Sequence, residues 1–467
     1  MSNYYLAVDI GASSGRHILG SIQDGKIILE EIHRFENGMK KKDGHLYWDH
    51  KQLFEDIKEG LKKCKEAGKI PVSMGIDTWG VDYALLDEND EVIDMMYGYR
   101  DSRTDGMDDE VYKLIPEKEL YARTGIQKAM YNTIYQLMAD KVYHPETLEK
   151  AKTLLFVPDF FNFMLTGTKA NEYTESTTSQ LINPQTKDWD YELIERLGYP
   201  KEIFQKVVTP GTSLGKMRPE IVEEIGFDLE LVVPCTHDTG SAVLAVPAND
   251  DDFCYISSGT WSLLGLEREE ADCSEESYQN NFTNEGGYDY KFRYLKNIMG
   301  LWIIQSVRHN LDDKYSFAEI CEEAAKNSDF PTRIDVNADC FMAPDNMIEA
   351  IKTYCKETNQ QVPETLGEIA TVVYTSLAEC YAKAIQGLEK STGRTYSRIH
   401  VVGGGSNAGY LNELTAKATG KEVHAGPGEG TALGNILAQM LKAKEFACKE
   451  DAREAVHKSF DIKIYQA

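Results

Sequence analysis

The sequence predicts an α/β protein built from two related halves, and three observations support that prediction. Strand-like apolar runs alternate with amphipathic helical patterns along most of the 467 residues. A glycine-rich loop follows the first apolar run at residues 8–16, and a second such loop lies at residues 256–265. Each loop is predicted to be a tight turn of small polar residues between two strands. Such turns expose backbone N–H groups and let a phosphate approach closely, so the paired loops favour a duplicated scaffold that grips one polyphosphate from both sides.

The first half is predicted to begin with a three-stranded meander. Residues 4–10 form an apolar run typical of a buried strand, and residues 16–23 follow the first glycine loop. The dipeptide Asp24-Gly25 is a hairpin turn signal. It therefore predicts that residues 26–35 return as the third strand.

A helix and three further strands are predicted after the meander. Residues 51–66 carry apolar side chains at helical spacing, and residues 72–77 return as a strand. Residues 81–86 and 91–95 are predicted to pair as a hairpin around a polar turn. Residues 100–230 are richer in helical patterns and polar loops, which indicates an insertion or cap on the first domain.

The second half continues the alternation of strands and helices. The strongest helical stripe covers residues 369–388, and Thr392-Gly393 is predicted to end that helix. Residues 399–402 and 422–424 are predicted strands, and residues 431–441 a last helix. We therefore predict an N-terminal domain over residues 1–246, containing the cap, and a C-terminal domain over residues 247–467.

Composition excludes several classes of function. The net charge of −26 argues against a nucleic acid or an anionic membrane as partner, because both require a cationic surface. The nine cysteines are scattered, without a CxxC pair, as is typical of reduced thiols in the cytoplasm. The N-terminal segment lacks the features of a signal peptide, and no apolar stretch approaches the roughly 20 residues of a spanning helix. The sequence predicts a cytoplasmic protein, and leaves monomer and homodimer open.

Asp9 and Arg16 flank the first glycine loop. A carboxylate at the end of a strand, next to a phosphate loop, can hold Mg²⁺ directly or through water. Arg16 lies beyond the turn, from where its guanidinium could reach a phosphoryl oxygen. The alternative is that Asp9 caps the turn and Arg16 is a surface residue. The presence of a second loop, in which Thr260 could offer a hydroxyl and an N–H group, favours the phosphate site.

The run of three glycines at residues 403–405 follows a predicted buried strand and precedes a helix. It has neither the GxGxxG spacing of a dinucleotide fold nor the sequence of a P-loop. Consecutive glycines permit a planar group such as adenine, or its ribose, to approach closely. The alternative is a plain strand-to-helix turn, for which one glycine normally suffices.

Asp238 lies in a segment where an apolar strand ends and a helix of small residues begins. One interpretation is that Asp238 is the N-cap of that helix. The other is that Asp238 is a general base that accepts a proton from a substrate hydroxyl, for which a carboxylate is adequate in phosphoryl transfer. Trp79, at the end of an earlier strand, could stack on a sugar or fill the core. Cysteines, histidines and carboxylates show no spacing typical of structural zinc.

These motifs resemble the FGGY family of carbohydrate kinases, which is built on the ATPase scaffold of actin, hexokinase and heat-shock-70 proteins. The similarity extends from about residue 4 to about residue 445. Two of the runs, TWGVD and THDTGSAV, are more specific for the branch of the family that phosphorylates L-rhamnulose. The matching segments are VDIGASSGRHILG at 8–20, GIDTWGVDYALLD at 75–87, THDTGSAV at 236–243, YISSGTWSLLG at 255–265, NIMGLWIIQ at 297–305 and HVVGGGSNAGYLN at 400–412.

The resemblance implies two ribonuclease-H-like domains of mixed sheet and helices around a nucleotide and sugar cleft, with ATP and Mg²⁺ as cofactors. It implies that Asp238 is the proton acceptor, and that closure of the cleft excludes water. The residues that it implies for the sugar are Gly80, His237, Asp238, Thr239 and Asn297. The residues that it implies for ATP are Ala12, Ser13, Ser14, Gly15, Arg16, Thr260, Gln305 and Gly403.

Two alternatives remain open at the level of sequence. Within the family, the acceptor could be another ketose or polyol, such as L-fuculose or xylulose, with the same mechanism. Outside it, the scaffold could serve a nucleotide-switched binding protein that phosphorylates no sugar. The run THDTG favours an enzyme, because a base next to the nucleotide has no task in a switch.

Overall fold

The computed structural model describes residues 3–467, which form two compact units. The first unit contains residues 3–245 together with two later segments, Glu267–Tyr294 and Thr431–Ser459. The second unit contains Val246–Leu266, Leu295–Gly430 and Phe460–Ala467. Each unit is thus assembled from segments that are distant in sequence, and the contiguous domain bounds at residue 246 remain a prediction.

The chain forms short strands and mostly short helices. The strands are β1 Tyr5–Ile10, β2 Ser14–Gln23, β3 Lys26–Glu36, β4 Lys40–Lys42, β5 His45–Trp48, β6 Ser73–Thr78, β7 Tyr83–Leu86, β8 Met96–Tyr97, β9 Thr153–Phe156, β10 Asn171–Glu172, β11 Ile182–Asn183, β12 Asp188–Trp189, β13 Val207–Val208, β14 Ser213–Lys216, β15 Glu230–Val232, β16 Phe253–Ser258, β17 Trp261–Arg268, β18 Thr283–Gly286, β19 Phe292–Met299, β20 Arg398–Val402, β21 Glu422–Ala425 and β22 Lys463–Tyr465. The α-helices are α1 His50–Glu66, α2 Met107–Tyr112, α3 Glu117–Thr124, α4 Thr133–Tyr143, α5 Pro145–Lys150, α6 Val157–Thr166, α7 Tyr173–Thr178, α8 Tyr191–Leu197, α9 Pro219–Ile225, α10 Asp238–Leu244, α11 Glu275–Gln279, α12 Trp302–His309, α13 Phe317–Lys326, α14 Met347–Glu357, α15 Leu366–Thr392, α16 Gly409–Thr419, α17 Gly430–Lys442 and α18 Lys449–Ser459.

The main sheet of the first unit has the strand order β14-β15-β6-β1-β2-β3. The predicted meander is confirmed: β1, β2 and β3 are antiparallel neighbours, and β1 pairs with β6 in parallel. Asp24 and Gly25 have φ angles of 50° and 75°, which the tight β2–β3 turn requires. The helix predicted over residues 51–66 is α1, whose apolar face packs in the same core as β1 and β6.

The predicted hairpin of residues 81–86 and 91–95 is confirmed in its polar turn and its antiparallel pairing, but its second arm does not form a strand. An antiparallel bridge joins Leu86 to Val92, and the Ile93 N–H donates to the Leu85 carbonyl at 3.0 Å, whereas the longer ladder of β7 is formed with β9. Periodicity alone does not show that a run 70 residues further on pairs with the other edge of β7. The helix predicted as the last one is α17, and α18 follows it.

The sheet of the second unit contains the second glycine-rich loop. β16 is antiparallel to β17 and parallel to β20, and β20 is parallel to β21. The long helical stripe is confirmed as α15, which starts at a capping box of Thr365 and Glu368 and ends at Gly393 with φ 65°. The predicted α/β class is therefore confirmed in both units.

No helix among residues 3–467 has the length and the apolar character needed to cross a membrane. The nine cysteines all lie in that range and are free thiols.

Candidate active site

The first glycine loop joins β1 to β2 and holds Asp9 against Arg16. The turn is closed by a hydrogen bond from the Gly11 N–H to the Ser14 carbonyl, at 2.9 Å. Asp9 and Arg16 are register partners on the two strands. A 2.8 Å ion pair joins Arg16 Nη2 to Asp9 Oδ2. The loop therefore presents a paired carboxylate and guanidinium, rather than two independent charges, beside Ala12 and Ser13.

Asp77 faces Asp9 from the neighbouring strand β6, and sequence reasoning did not assign it a role. The two are register partners in the parallel pair. Asp77 is fully buried, and the Asn435 side-chain amide donates to its Oδ2 at 2.6 Å. Burial, and then the charges of Asp9 and Asp238, raise the pKa of Asp77 well above its usual range. Three carboxyl groups thus meet at one end of this sheet.

Asp238 extends this cluster because the segment before α10 pairs in parallel with the end of β6. The Thr78 N–H donates to the Thr236 carbonyl at 2.9 Å, and Thr78 forms a parallel bridge with His237. Asp238 is the first residue of α10, and His237 occupies the N-cap position. The interpretation of Asp238 as an N-cap is therefore wrong by one residue, since its carboxyl lies inside the first turn.

The Asp238 carboxyl is enclosed by protein on most sides, yet 34% of its side-chain surface stays accessible. Thr239 Oγ1 donates to Asp238 Oδ1 at 3.0 Å. Burial raises the pKa of Asp238, and the charge of Asp9 adds to that, whereas His237 and the hydrogen bonds from Thr239 act in the opposite direction. An accessible carboxyl with a raised pKa is suited to accept a proton from a hydroxyl.

The turn that contains Gly80 is tightly packed and strained. A Cβ at Gly80 would lie 3.1 Å from Thr178 Cγ2. The next residue, Val81, has a φ of 73°, which is rare for a β-branched side chain. Its N–H donates to Thr178 Oγ1 at 3.1 Å, and Thr133 Oγ1 donates to its carbonyl at 2.7 Å. These bonds hold a conformation that Val81 would not adopt alone, as is common near functional sites.

Trp79 fills the core rather than offering an exposed face. It is 7% exposed, and its ring lies 3.9 Å from that of Trp48. Both indoles donate to Asp82 Oδ2, at 2.9 and 2.7 Å, and the Tyr99 N–H donates to the same oxygen at 3.0 Å. Burial raises the pKa of Asp82 to about 6. Asp82 therefore fixes the two aromatic rings beneath the Gly80 turn.

In the second unit, Thr260 lies at the turn between β16 and β17. Its carbonyl accepts hydrogen bonds from the N–H groups of Gly300, at 3.2 Å, and Trp302, at 3.1 Å. A Cβ at Gly300 would lie 2.6 Å from the backbone nitrogen of Ser262, so this position admits only glycine without a backbone shift. The turn is thus packed against the start of α12, which contains Gln305.

Gly403 and Gly405 pack against the same turn, and this contact explains two of the three glycines. Gly403 has a φ of 83°, and a Cβ there would lie 2.9 Å from the Ser258 carbonyl oxygen. A Cβ at Gly405 would overlap the Ser258 side chain, whereas a Cβ at Gly404 would meet no atom within 4 Å. The run of glycines therefore has a packing function at its outer members and leaves open space at Gly404.

The structure gathers the sequence-predicted residues into two groups. In the first unit, the turn of residues 12–16, Asp9 and the segment 237–239 lie at or beyond the ends of neighbouring strands. In the second unit, Thr260, Gln305 and Gly403 surround the β16–β17 turn, and Asn297 lies on β19. Within residues 3–467, no three His, Cys, Asp or Glu side chains are arranged so that together they could hold a metal ion.

Comparison with known proteins identifies the scaffold. Residues 4–245 match the N-terminal domain of the FGGY family of carbohydrate kinases, and residues 254–443 match its C-terminal domain. A rhamnulokinase of Halalkalibacterium halodurans is 52% identical over 463 residues, which cover 99% of this chain and 98% of that protein. The rhamnulokinase of Bacillus subtilis is 42% identical, over 99% of this chain and 95% of that protein.

Solved structures with the same fold have low sequence identity. The xylulose kinase of Lactobacillus acidophilus superposes with a TM-score of 0.78 at 16% identity, over 99% of this chain and 94% of that one. A glycerol kinase of Plasmodium falciparum with ADP superposes with a TM-score of 0.75 at 13% identity, over the same shares. These likenesses confirm the two-domain fold that the sequence motifs imply.

Proposed function

Because the chain belongs to the FGGY family of carbohydrate kinases, we propose that it transfers the γ-phosphoryl group of ATP to the 1-hydroxyl of L-rhamnulose. The chain is an ATP-dependent sugar kinase by its family. Support for L-rhamnulose comes from the rhamnulokinases that are 42% to 52% identical over nearly the whole chain. The products would be L-rhamnulose 1-phosphate and ADP, as in a step of rhamnose catabolism.

We propose that Asp238 is the general base. The single observation that supports this role best is its accessible carboxyl, which Thr239 holds by one oxygen. The accessible surface leaves room for a substrate hydroxyl to donate its proton, and the raised pKa brings the carboxylate closer to the basicity that proton transfer needs. Gly80, His237, Thr239 and Asn297 are the proposed sugar contacts.

For the nucleotide, we propose phosphate contacts in the first unit and nucleotide contacts in the second. The turn of residues 12–16 offers N–H groups and hydroxyls of the kind that bind phosphate. In the second unit the proposed contacts are Thr260, Gln305 and Gly403, and the open space at Gly404 supports close approach of a flat group.

We also propose that Mg²⁺ binds at Asp9, through water. The residues fit this ion, because Mg²⁺ is usually held by one or two carboxylates together with waters and substrate phosphates. The crowding of Asp9, Asp77 and Asp238, which raises the pKa of Asp77, is also what a cation would relieve. When bound, Mg²⁺ neutralises charge on the transferred phosphoryl group. We further propose a cytoplasmic location and a monomeric or homodimeric state.

The proposed function is tested by sugar-dependent ADP release from Mg·ATP with L-rhamnulose, L-fuculose, L-ribulose, D-xylulose and glycerol. We expect the highest kcat/KM for L-rhamnulose. A preference for another sugar would overturn the named acceptor but keep the kinase mechanism. ATP binding without sugar-stimulated ADP release from any sugar would favour a nucleotide-switched binding protein instead.

A further inference from the structure

We propose that Arg293, paired with Glu285, is a positioning residue that fixes the His237 imidazole with its Nε2–H directed at Asp238. This inference deepens the proposed function, since it rests on Asp238 being the base. Neither Arg293 nor Glu285 stands out in the sequence, because they come from β19 and β18 and meet His237 only in the fold.

The contact between Arg293 and His237 determines which imidazole nitrogen carries hydrogen. Arg293 Nη2 lies 2.9 Å from His237 Nδ1. A guanidinium has only donors, so Nδ1 must be the acceptor in this bond. A hydrogen on Nδ1 would face the Arg293 N–H at 2.9 Å, which is repulsive, whereas the Glu285 oxygen that could accept it lies farther away, at 3.4 Å. The neutral ring therefore carries its hydrogen on Nε2, the nitrogen that faces Asp238.

Glu285 and the backbone hold Arg293 in place. Arg293 is fully buried; its Nη2 lies 3.2 Å from Glu285 Oε2, and its Nε donates to the Gly286 carbonyl at 2.7 Å. The same Glu285 oxygen lies 3.4 Å from His237 Nδ1. A buried guanidinium with two fixed contacts has little freedom to move away from the imidazole, so the hydrogen position on His237 is built into the fold.

The other ring nitrogen of His237, Nε2, lies on the side of the imidazole next to the proposed base. His237 Nε2 lies 3.6 Å from Asp238 Oδ1, which is too far for a hydrogen bond but within the range of an electrostatic contact. Thr239 Oγ1 donates to this same oxygen. The positive charge of a protonated His237 lowers the pKa of Asp238 that burial raises, and the dipole of an N–H on the same side acts in the same direction. The other titratable groups that act on Asp238 or respond to its charge are Asp9, Asp77, Tyr99 and Glu175.

The first measurement reads the tautomer in the absence of substrate. Long-range ¹H–¹⁵N correlation spectra of protein labelled at histidine, with His237→Gln to assign the signal, should show the Nε2–H form of His237. In Arg293→Met we expect the Nδ1–H form to appear. Arg268→Met is the matched control, because Arg268 lies in the same unit but pairs with Asp272 at 3.2 Å. Retention of a pure Nε2–H form in Arg293→Met would overturn the proposal.

The second measurement separates positioning from stability. We expect Arg293→Met to lower kcat at least tenfold, to shift the acidic limb of the kcat profile to higher pH, and to leave KM for ATP within twofold. Arg293→Lys, which keeps a charged donor, should restore part of kcat. Arg293→Met removes the guanidinium from its ion pair with the buried Glu285 carboxylate. For this reason, kcat and the melting temperature of the double variant Glu285→Leu/Arg293→Met are measured too. Wild-type kcat and pH profile in a folded variant would overturn the role.

The two proposals fail in different ways. If the wild-type protein turned over no sugar, the proposed function would fall while the tautomer measurement still tested the contact. If the wild-type protein turned over L-rhamnulose and Arg293→Met did so equally well, the positioning role alone would be wrong.

Discussion

Replacement of Asp238 by asparagine tests the proposed mechanism most directly. Asparagine has the same shape, and its amide oxygen can still accept the hydrogen bond that Thr239 donates at 3.0 Å. The Asp238 side chain keeps 34% of its surface accessible, so the new amide group can be solvated. We therefore expect a folded variant whose melting temperature is close to that of the wild type, with the proton acceptor removed.

The expected loss is in kcat. A positioned general base contributes typically about 10²–10⁴-fold, which corresponds to a barrier increase of roughly 3–5 kcal/mol. KM for ATP should change little, because the proposed nucleotide contacts lie on other residues. ADP release at saturating L-rhamnulose and varied ATP gives kcat and KM for ATP. Circular dichroism and thermal melting of the same samples show whether the variant is folded.

Asp228→Asn is a matched control, since its side chain is 38% exposed and pairs with Lys216 at 3.7 Å in the same unit. It should retain full turnover. A folded Asp238→Asn variant with kcat within threefold of wild type would refute the assignment of Asp238 as base, because an amide cannot accept the proton.

Three further predictions concern packing and pH. Gly300→Ala should lower the free energy of unfolding by about 1–3 kcal/mol in denaturant titrations, since its Cβ would lie 2.6 Å from a backbone nitrogen. Gly404→Ala should leave the free energy of unfolding unchanged, because its Cβ would have no atom within 4 Å. Arg453→Leu should lower the free energy of unfolding by about 3–5 kcal/mol. The reason is that the buried guanidinium donates to Glu267 at 2.7 Å and to a carbonyl at the end of α10 at 2.9 Å. An unchanged unfolding midpoint would contradict this prediction. Asp82, with a pKa of about 6 when folded and 3.8 as its reference, binds its proton more tightly in the folded state. The free energy of unfolding of the wild type should therefore fall relative to that of Asp82→Asn, by about 3 kcal/mol in total, as pH rises from below 4 to 7; a constant difference across that range would contradict it.

Local patterns in the sequence predicted much of the fold. The meander follows from one apolar run, one glycine loop and one Asp-Gly turn, all within residues 4–35. The end of α15 follows from Gly393, which takes the left-handed conformation there. These features depend on residues that are close in sequence, so periodicity and turn chemistry are sufficient to find them.

Non-local pairings were the part that the sequence could not predict. The Asp77 carboxyl accepts a hydrogen bond from Asn435, which lies 358 residues later in the chain. β7 forms its ladder with the distant β9 and only a single bridge with the segment that follows it. The contact of Arg293 with His237 likewise joins segments that no local pattern relates. The proposed site rests on strand-end motifs that the sequence shows, whereas the residues that support it come together only in the fold.

The carboxyl groups of the first unit raise the question of how an acidic protein accommodates an anionic substrate. The answer lies in how each acid is compensated. Asp9 is paired with Arg16 at 2.8 Å, and burial beside like charges raises the pKa values of Asp77 and Glu175, which favours their neutral forms. Asp82 accepts hydrogen bonds from two indoles, an amide and a backbone N–H. The net charge of −26 therefore does not determine the local potential at the proposed phosphate loop. In the proposed mechanism, the partly accessible Asp238 contacts only a sugar hydroxyl, which is a neutral donor.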